Sequence, residues 1–186
     1  MYIMLNKLCI FLAGFVLILP LTAASDESAL LLKSRELTAE YASLLQAELK
    51  AAMSTGGPVA AISVCQDRAP AIASELSRRS GAKIGRTSLR FRNPGNAPEP
   101  WQRDVLVEFD TGSSQEFFAK TDAGETRFMK AIPTGGVCLA CHGQTLSAEI
   151  QDALDAGYPH DRARGYEPGQ IRGAFSIVWP VAETQQ

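Results

Sequence analysis

Hydrophobic and polar residues alternate along this chain with two different periods. From Asp26 to about Met53 the apolar residues recur at helical spacing. Leu30, Leu37, Tyr41, Leu44, Leu45 and Leu49 form a stripe, with Lys33, Glu36, Glu40 and Lys50 largely off it. The spacing predicts a helix of about 40 Å, laid along a core or free to act as a connector. A short helix is expected over Pro58–Gln66, since proline suits a first helical turn. Another is expected over Ala69–Ser80, stopped by Gly81. Strand-like runs follow at 83–92, 105–109, 115–120, 127–132 and 173–181, and Thr121-Asp122-Ala123-Gly124-Glu125 reads as a hairpin turn between two of them. The stretch 92–100, with three prolines, is a loop. There is no internal repeat, and the pattern predicts one α+β domain with strands packed against helices.

The N-terminus breaks this pattern. Lys7 precedes an apolar run from Leu8 to Leu21, interrupted by Pro20, and the small residues Thr22-Ala23-Ala24 follow before Ser25. A charged start, a short apolar stretch and a small-residue site make a cleavable signal peptide over residues 1–24. The run is shorter than the roughly 20 residues needed to span a bilayer. An uncleaved signal anchor is the alternative. Cleavage leaves residues 25–186 as a single domain in the periplasm. The formal net charge is −2 and the 18 basic residues are spread along the chain. No basic cluster interleaved with aromatics is present, so nucleic acid is not an expected partner.

Cysteines add more than charge does. The exported part holds only Cys65, Cys138 and Cys141, an odd number in a compartment that oxidises thiols, so at least one sulfur needs a use other than an internal disulfide. Cys138-Leu139-Ala140-Cys141-His142 supplies one, because Cys-x-x-Cys-His is the attachment signature of c-type haem. The two thiols add to the two vinyl groups, and the following histidine is held under the ring as proximal ligand to the iron. Thr134-Gly135-Gly136 and Gly143 around the motif permit close backbone approach. A thioredoxin-type site should follow a strand and open a helix in a βαβ unit, whereas this pair follows a loop. A structural zinc needs four ligands, and gives no reason for His142 to adjoin Cys141.

Four residues are candidates for the opposite face of the iron. His160 lies in the turn-rich Tyr158-Pro159-His160-Asp161-Arg162 and reads as exposed. Met129 lies in a strand and reads as core or surface, and Met53 reads as a packing residue near a helix end. Cys65 shares a helical face with the small Ala61, which would let a helix approach a porphyrin closely. Its bland reading is an inert buried thiol. Arg86 and Arg90 could pair with haem propionates, although a surface arginine is the commoner case.

A resemblance bears on these choices. It is carried by Ala61-Ile62-Ser63-Val64-Cys65, Ala69-Pro70-Ala71-Ile72-Ala73, Gly85-Arg86-Thr87-Ser88-Leu89-Arg90, Arg92-Asn93-Pro94, Asn96 and Trp101. It continues through Cys138 to His142, Tyr158-Pro159 and Gly173-Ala174. Together these resemble a family of exported c-type haem domains with a PAS-like fold, once catalogued as a domain of unknown function and typified by a cyanobacterial lumenal haem protein. The resemblance implies one covalent haem at Cys138 and Cys141, with His142 and Cys65 as the iron's axial ligands. The charges of ferric iron, porphyrin and thiolate then cancel, so reduction leaves a net negative centre in a low-dielectric pocket and a low potential is expected. On reduction, a lone thiol ligand could protonate and leave, opening a site for a diatomic gas such as CO or NO. A redox or gas sensor is therefore the leading expectation, and a soluble low-potential electron-transfer cytochrome with a redox partner protein is the alternative. An enzyme would need an open iron with an acid or base beside it, and none is expected.

Overall fold

The computed structural model describes residues 21–181. The expected signal peptide, residues 1–24, lies outside them except for its last four residues, which open the first helix. That helix, α1 (Leu21–Ser63), is followed by a π-helical turn (Val64–Arg68), α2 (Ala69–Ser80), β1 (Lys83–Thr87) and α3 (Pro100–Asp110). Next come β2 (Glu116–Lys120), β3 (Thr126–Pro133), the short α4 (Leu139–His142), α5 (Ala148–Gly157) and β4 (Ile171–Trp179). The strands form one antiparallel sheet in the order β1-β4-β3-β2, so the last strand is central. No helix among the described residues is long and apolar enough to cross a membrane.

Helices cover both faces of the sheet, as the α+β expectation required. On one face Leu37, Tyr41 and Leu45 of α1 and Ile72 and Leu76 of α2 pack against Phe128, Phe175 and Ile177. On the other, Val105, Leu106 and Phe109 of α3 pack against Met129, Ala131 and Ala174. Alternation along β3 sends Phe128 to the first core and Met129 to the second, both with no exposed surface. The predicted stripe of α1 holds at Leu37, Tyr41 and Leu45, but Leu44 is exposed, and Ser34 and Thr38 are buried in its place. Burial of Ser34 is compensated: its hydroxyl donates to the Leu30 carbonyl and accepts from the Trp179 indole.

Two expectations are corrected. Residues 105–109 are helix, not strand: Pro100 occupies the first turn, and Glu99 and Gln102 close a capping box that starts α3. Val105, Leu106 and Phe109 then fall on one helical face. The strand expected over 83–92 ends at Thr87, because Ser88 turns to donate its amide to Asn96 instead of a strand neighbour. The hairpin turn over 121–125 is present, closed by Thr121 and Glu125 and by Gly124 at φ +88°. Gly57, at φ +69°, interrupts α1 before Pro58, where the sequence broke one helix from the next.

The connection from α5 to β4 has no regular structure, so its polar groups must find partners elsewhere. A buried ion pair holds it. Arg92 Nε donates to Asp161 Oδ1 at 3.0 Å, with side-chain exposures of 9% and 1%. Burial alone would push the Asp161 carboxyl up, but hydrogen bonds from Arg164, Arg92 and the Ala163 amide outweigh it and hold the pKa below the usual carboxylate value. The pair's contribution is therefore complete above the unfolded carboxylate value near pH 4, and lost as pH falls through the lower folded value. Asp161→Ala leaves the Arg92 charge buried and should cost about 3–5 kcal/mol at pH 7, with a smaller cost in acid, read from urea unfolding at the two pH values. Gly173 stands at φ +153°, and a Cβ there would lie 2.5 Å from the Thr87 carbonyl oxygen. Gly173→Ala should destabilise by about 1–3 kcal/mol, measured in the same way.

Candidate functional site

The site is assembled where the start of β4, the α4 loop and the end of α1 meet. A 3₁₀ turn (Gly136–Cys138) runs directly into α4, so the motif from Cys138 to His142 is one tight coil. Gly143 ends it, and a Cβ there would sit 2.6 Å from the Leu139 carbonyl oxygen. Cys138 and Cys141 are half-buried free thiols, as is Cys65. Burial, opposed by Arg92, pushes the Cys141 thiol up, and Cys65 and Cys138 add to the rise.

The segment after Asp161 runs alongside this coil. Tyr166 N–H donates to the His142 carbonyl and Gly165 N–H to that of Gly143, both at 2.9 Å. The His142 ring meets Tyr166 edge-on, with centroids 6.3 Å apart. His142 Nδ1 lies 2.7 Å from the Ala163 carbonyl oxygen. A carbonyl can only accept, so Nδ1 carries the proton and Nε2 is left as an open lone pair. Burial, then the charges of Arg92 and Arg172, press the His142 pKa down to about 3, against the pull of Ala163 and Asp161. At neutral pH the ring is a neutral imidazole, the form that binds a metal.

Cys65 reaches the same place from the other end of the fold. It sits on the π-helical turn between α1 and α2, shortly after Val59 and Ile62, which share a packed cluster with Cys141 and Tyr158. Beside it lies a cavity of about 270 Å³ lined by Tyr41, Ile84, Arg86 and Asn96 among others. The other distal candidates lie elsewhere: Met129 is sealed beneath α3, His160 is exposed in its turn, and Met53 is half-buried on α1. Among the described residues no three His, Cys, Asp or Glu side chains converge as a ready-made site for a bare metal ion.

Sequence reasoning did not single out two of the arginines here. Arg90 is already engaged, donating to the Arg164 carbonyl and stacking 3.9 Å above the Tyr166 ring. Arg172 was not singled out, yet it is buried against Cys138 with its Nε unpaired, and burial lowers its pKa. Arg86 lies over the Tyr41 ring, and its Nε is likewise unpaired. The sequence signal for Arg172 is a charge within the apolar run of β4. Arg92, the other missed residue, donates to the Cys141 carbonyl at 2.6 Å and to that of Ala163 at 3.2 Å. Two guanidinium groups without carboxylate partners, beside two thiols and an open imidazole nitrogen, suit an anionic prosthetic group with a metal at its centre.

Known proteins give the same direction. A crystal structure of the cyanobacterial haem protein Tll0287 matches with a TM-score of 0.65 and 26% sequence identity, over 84% of this chain and 96% of that one. No curated protein matches the chain. The family model described as Tll0287-like covers residues 20–180, nearly the whole described structure. The chain belongs to the Tll0287-like family.

Proposed function

We propose that this chain is an exported haem protein, cleaved after residue 24 and working in the periplasm as a single domain over 25–186. It carries one haem, attached through Cys138 and Cys141, with His142 and Cys65 as axial ligands to the iron. The bound group supplies a one-electron centre, and the protein reads its state as a redox or gas sensor instead of catalysing a reaction. The observation that carries the proposal is the packing of Val59 and Ile62, just before Cys65, in one cluster with Cys141 of the Cys138–His142 coil, from positions far apart in the chain. Kinship with a haem protein supports the identity of the cofactor. The unpaired Nε atoms of Arg86 and Arg172 fit the two carboxylates that a haem brings.

The sensor reading is supported by an asymmetry between the two ligands. His142 is held by the Ala163 carbonyl and flanked by the buried Arg92. Cys65 instead sits on a π-helical turn, a less regular geometry common where a helix must adjust at a functional site. With haem bound, Cys65 and His142 would hold the iron, and Cys65, on reduction, would be the ligand free to take a solvent proton and leave, His142 being fixed by the Ala163 carbonyl. The turn bearing Cys65 continues α1, so such a movement reaches the longest helix directly.

Protein matured with a haem-attachment system should show haem that survives acid–acetone extraction, and Cys138→Ser with Cys141→Ser should lose that covalent link. Absence of covalent haem in the wild type would overturn the proposal. Cys65→Ala should remove the thiolate features of the ferric spectrum and leave attachment intact. The ferrous wild type should bind CO. A ferrous form that stays six-coordinate and ignores CO would favour the soluble electron carrier, which must keep both ligands in both redox states.

A further inference from the structure

Residue Ala163 is gripped at both its amide and its carbonyl by one buried ion pair. Asp161 Oδ1 accepts from the Ala163 amide at 2.9 Å, and Arg92 donates to the Ala163 carbonyl at 3.2 Å while its Nε binds Asp161 Oδ1 at 3.0 Å. Asp161 Oδ2 is occupied by Arg164 Nε at 2.8 Å. The same guanidinium also holds the Cys141 carbonyl, adjoining His142. The carbonyl that accepts the His142 Nδ1 proton is therefore shared with a cation. A carbonyl already accepting from a guanidinium draws less on a second donor, so the ring keeps the character of a neutral imidazole and donates less charge through Nε2.

We infer that Arg92 and Asp161 are positioning residues that fix how strongly His142 donates to the metal, through the orientation and sharing of the Ala163 carbonyl. The inference rests on His142 ligating a haem iron. Neither residue touches the metal. Arg92 holds the acceptor in place and weakens it, and Asp161 holds Arg92 and the amide of the same residue. Each also acts through its charge: Arg92 favours the added electron of the ferrous state, and Asp161 opposes it.

These effects predict opposite shifts. Arg92→Gln frees the Ala163 carbonyl to draw on His142 and removes a positive charge, so the ferric form gains. The one-electron equilibrium should move about tenfold, a fall of about 59 mV. Asp161→Asn keeps an acceptor for the Ala163 amide but leaves Arg92 uncompensated, so the potential should rise. Arg92→Lys separates geometry from charge: an ammonium keeps the charge but lacks the planar fork that holds Asp161 and two carbonyls at once. The experiment is a redox titration of the haem-loaded wild type and these three variants, alongside the ferric absorption spectrum. A lowered potential in both Arg92→Lys and Arg92→Gln, with a raised one in Asp161→Asn, is the expected result. A wild-type potential in Arg92→Lys would overturn the positioning role, as would shifts of the same sign in Arg92→Gln and Asp161→Asn, the mark of a merely loosened loop. Should Arg92→Gln or Asp161→Asn fail to mature, Arg92→Lys alone decides. A wild type without covalent haem would instead overturn the functional reading beneath.

Discussion

A guanidinium buried in the interior must be surrounded by acceptors, and Arg92 collects its three acceptors from two separate places in the chain. It takes the carboxylate of Asp161, the carbonyl of Ala163 and the carbonyl of Cys141. An isolated buried charge costs several kcal/mol, and the cost is offset only when partners are complete. That requirement joins the loop after β1, the motif helix α4 and the irregular approach to β4. None of these segments has a strand or long helix to determine its course, yet their relative positions define the site. The sheet supplies the platform, since β4 is paired on both sides and its first residues carry Arg172 into the same space.

The two faces of the proposed iron site follow different structural logic. On the His142 side, backbone hydrogen bonds from Gly165 and Tyr166 zip the chain onto α4, and the ring itself donates to the Ala163 carbonyl. On the Cys65 side the backbone leaves regular helix for a single π-helical turn, directly after a helix already broken at Gly57. A site built this way can lose one ligand without disturbing the other. Helix geometry ties Cys65 to both α1 and α2, so a change at the thiol biases packing over one whole face of the sheet.

Legibility of the sequence varied with the range of the interaction. The motif Cys138–His142, the long first helix and the hairpin turn are local patterns, and the structure contains each of them. Residues 105–109 misled because a run of apolar residues is ambiguous between strand and helix. The decisive signal was upstream, in the Glu99, Pro100 and Gln102 cap. Helix α5 went unread although Ser147 caps it and Ile150 and Leu154 share a face. The buried pair was invisible for a different reason. Asp161 follows the exposed His160 in a turn-rich stretch, and nothing local tells which of two adjacent polar residues will turn inward to meet an arginine 69 positions earlier. The resemblance supplied Cys65, which residue counting had left open among four candidates.

Charge balance favours a low potential for the proposed complex even with half-buried arginines beside it. In the proposed complex the thiolate of Cys65 makes the ferric centre neutral and the ferrous centre negative, which opposes reduction. Arg86 and Arg172 alone would reverse that preference, because each places a positive charge nearby without a carboxylate partner. The propionates of the haem bring two negative charges to those two cations, so the added groups cancel each other. Arg92 is cancelled in turn by Asp161 within the protein itself. What remains uncancelled is the extra electron against the thiolate, and relief comes only if Cys65 takes up a proton. In the proposed complex reduction would therefore favour loss of the Cys65 ligand, which is the property a switch requires and a carrier must avoid.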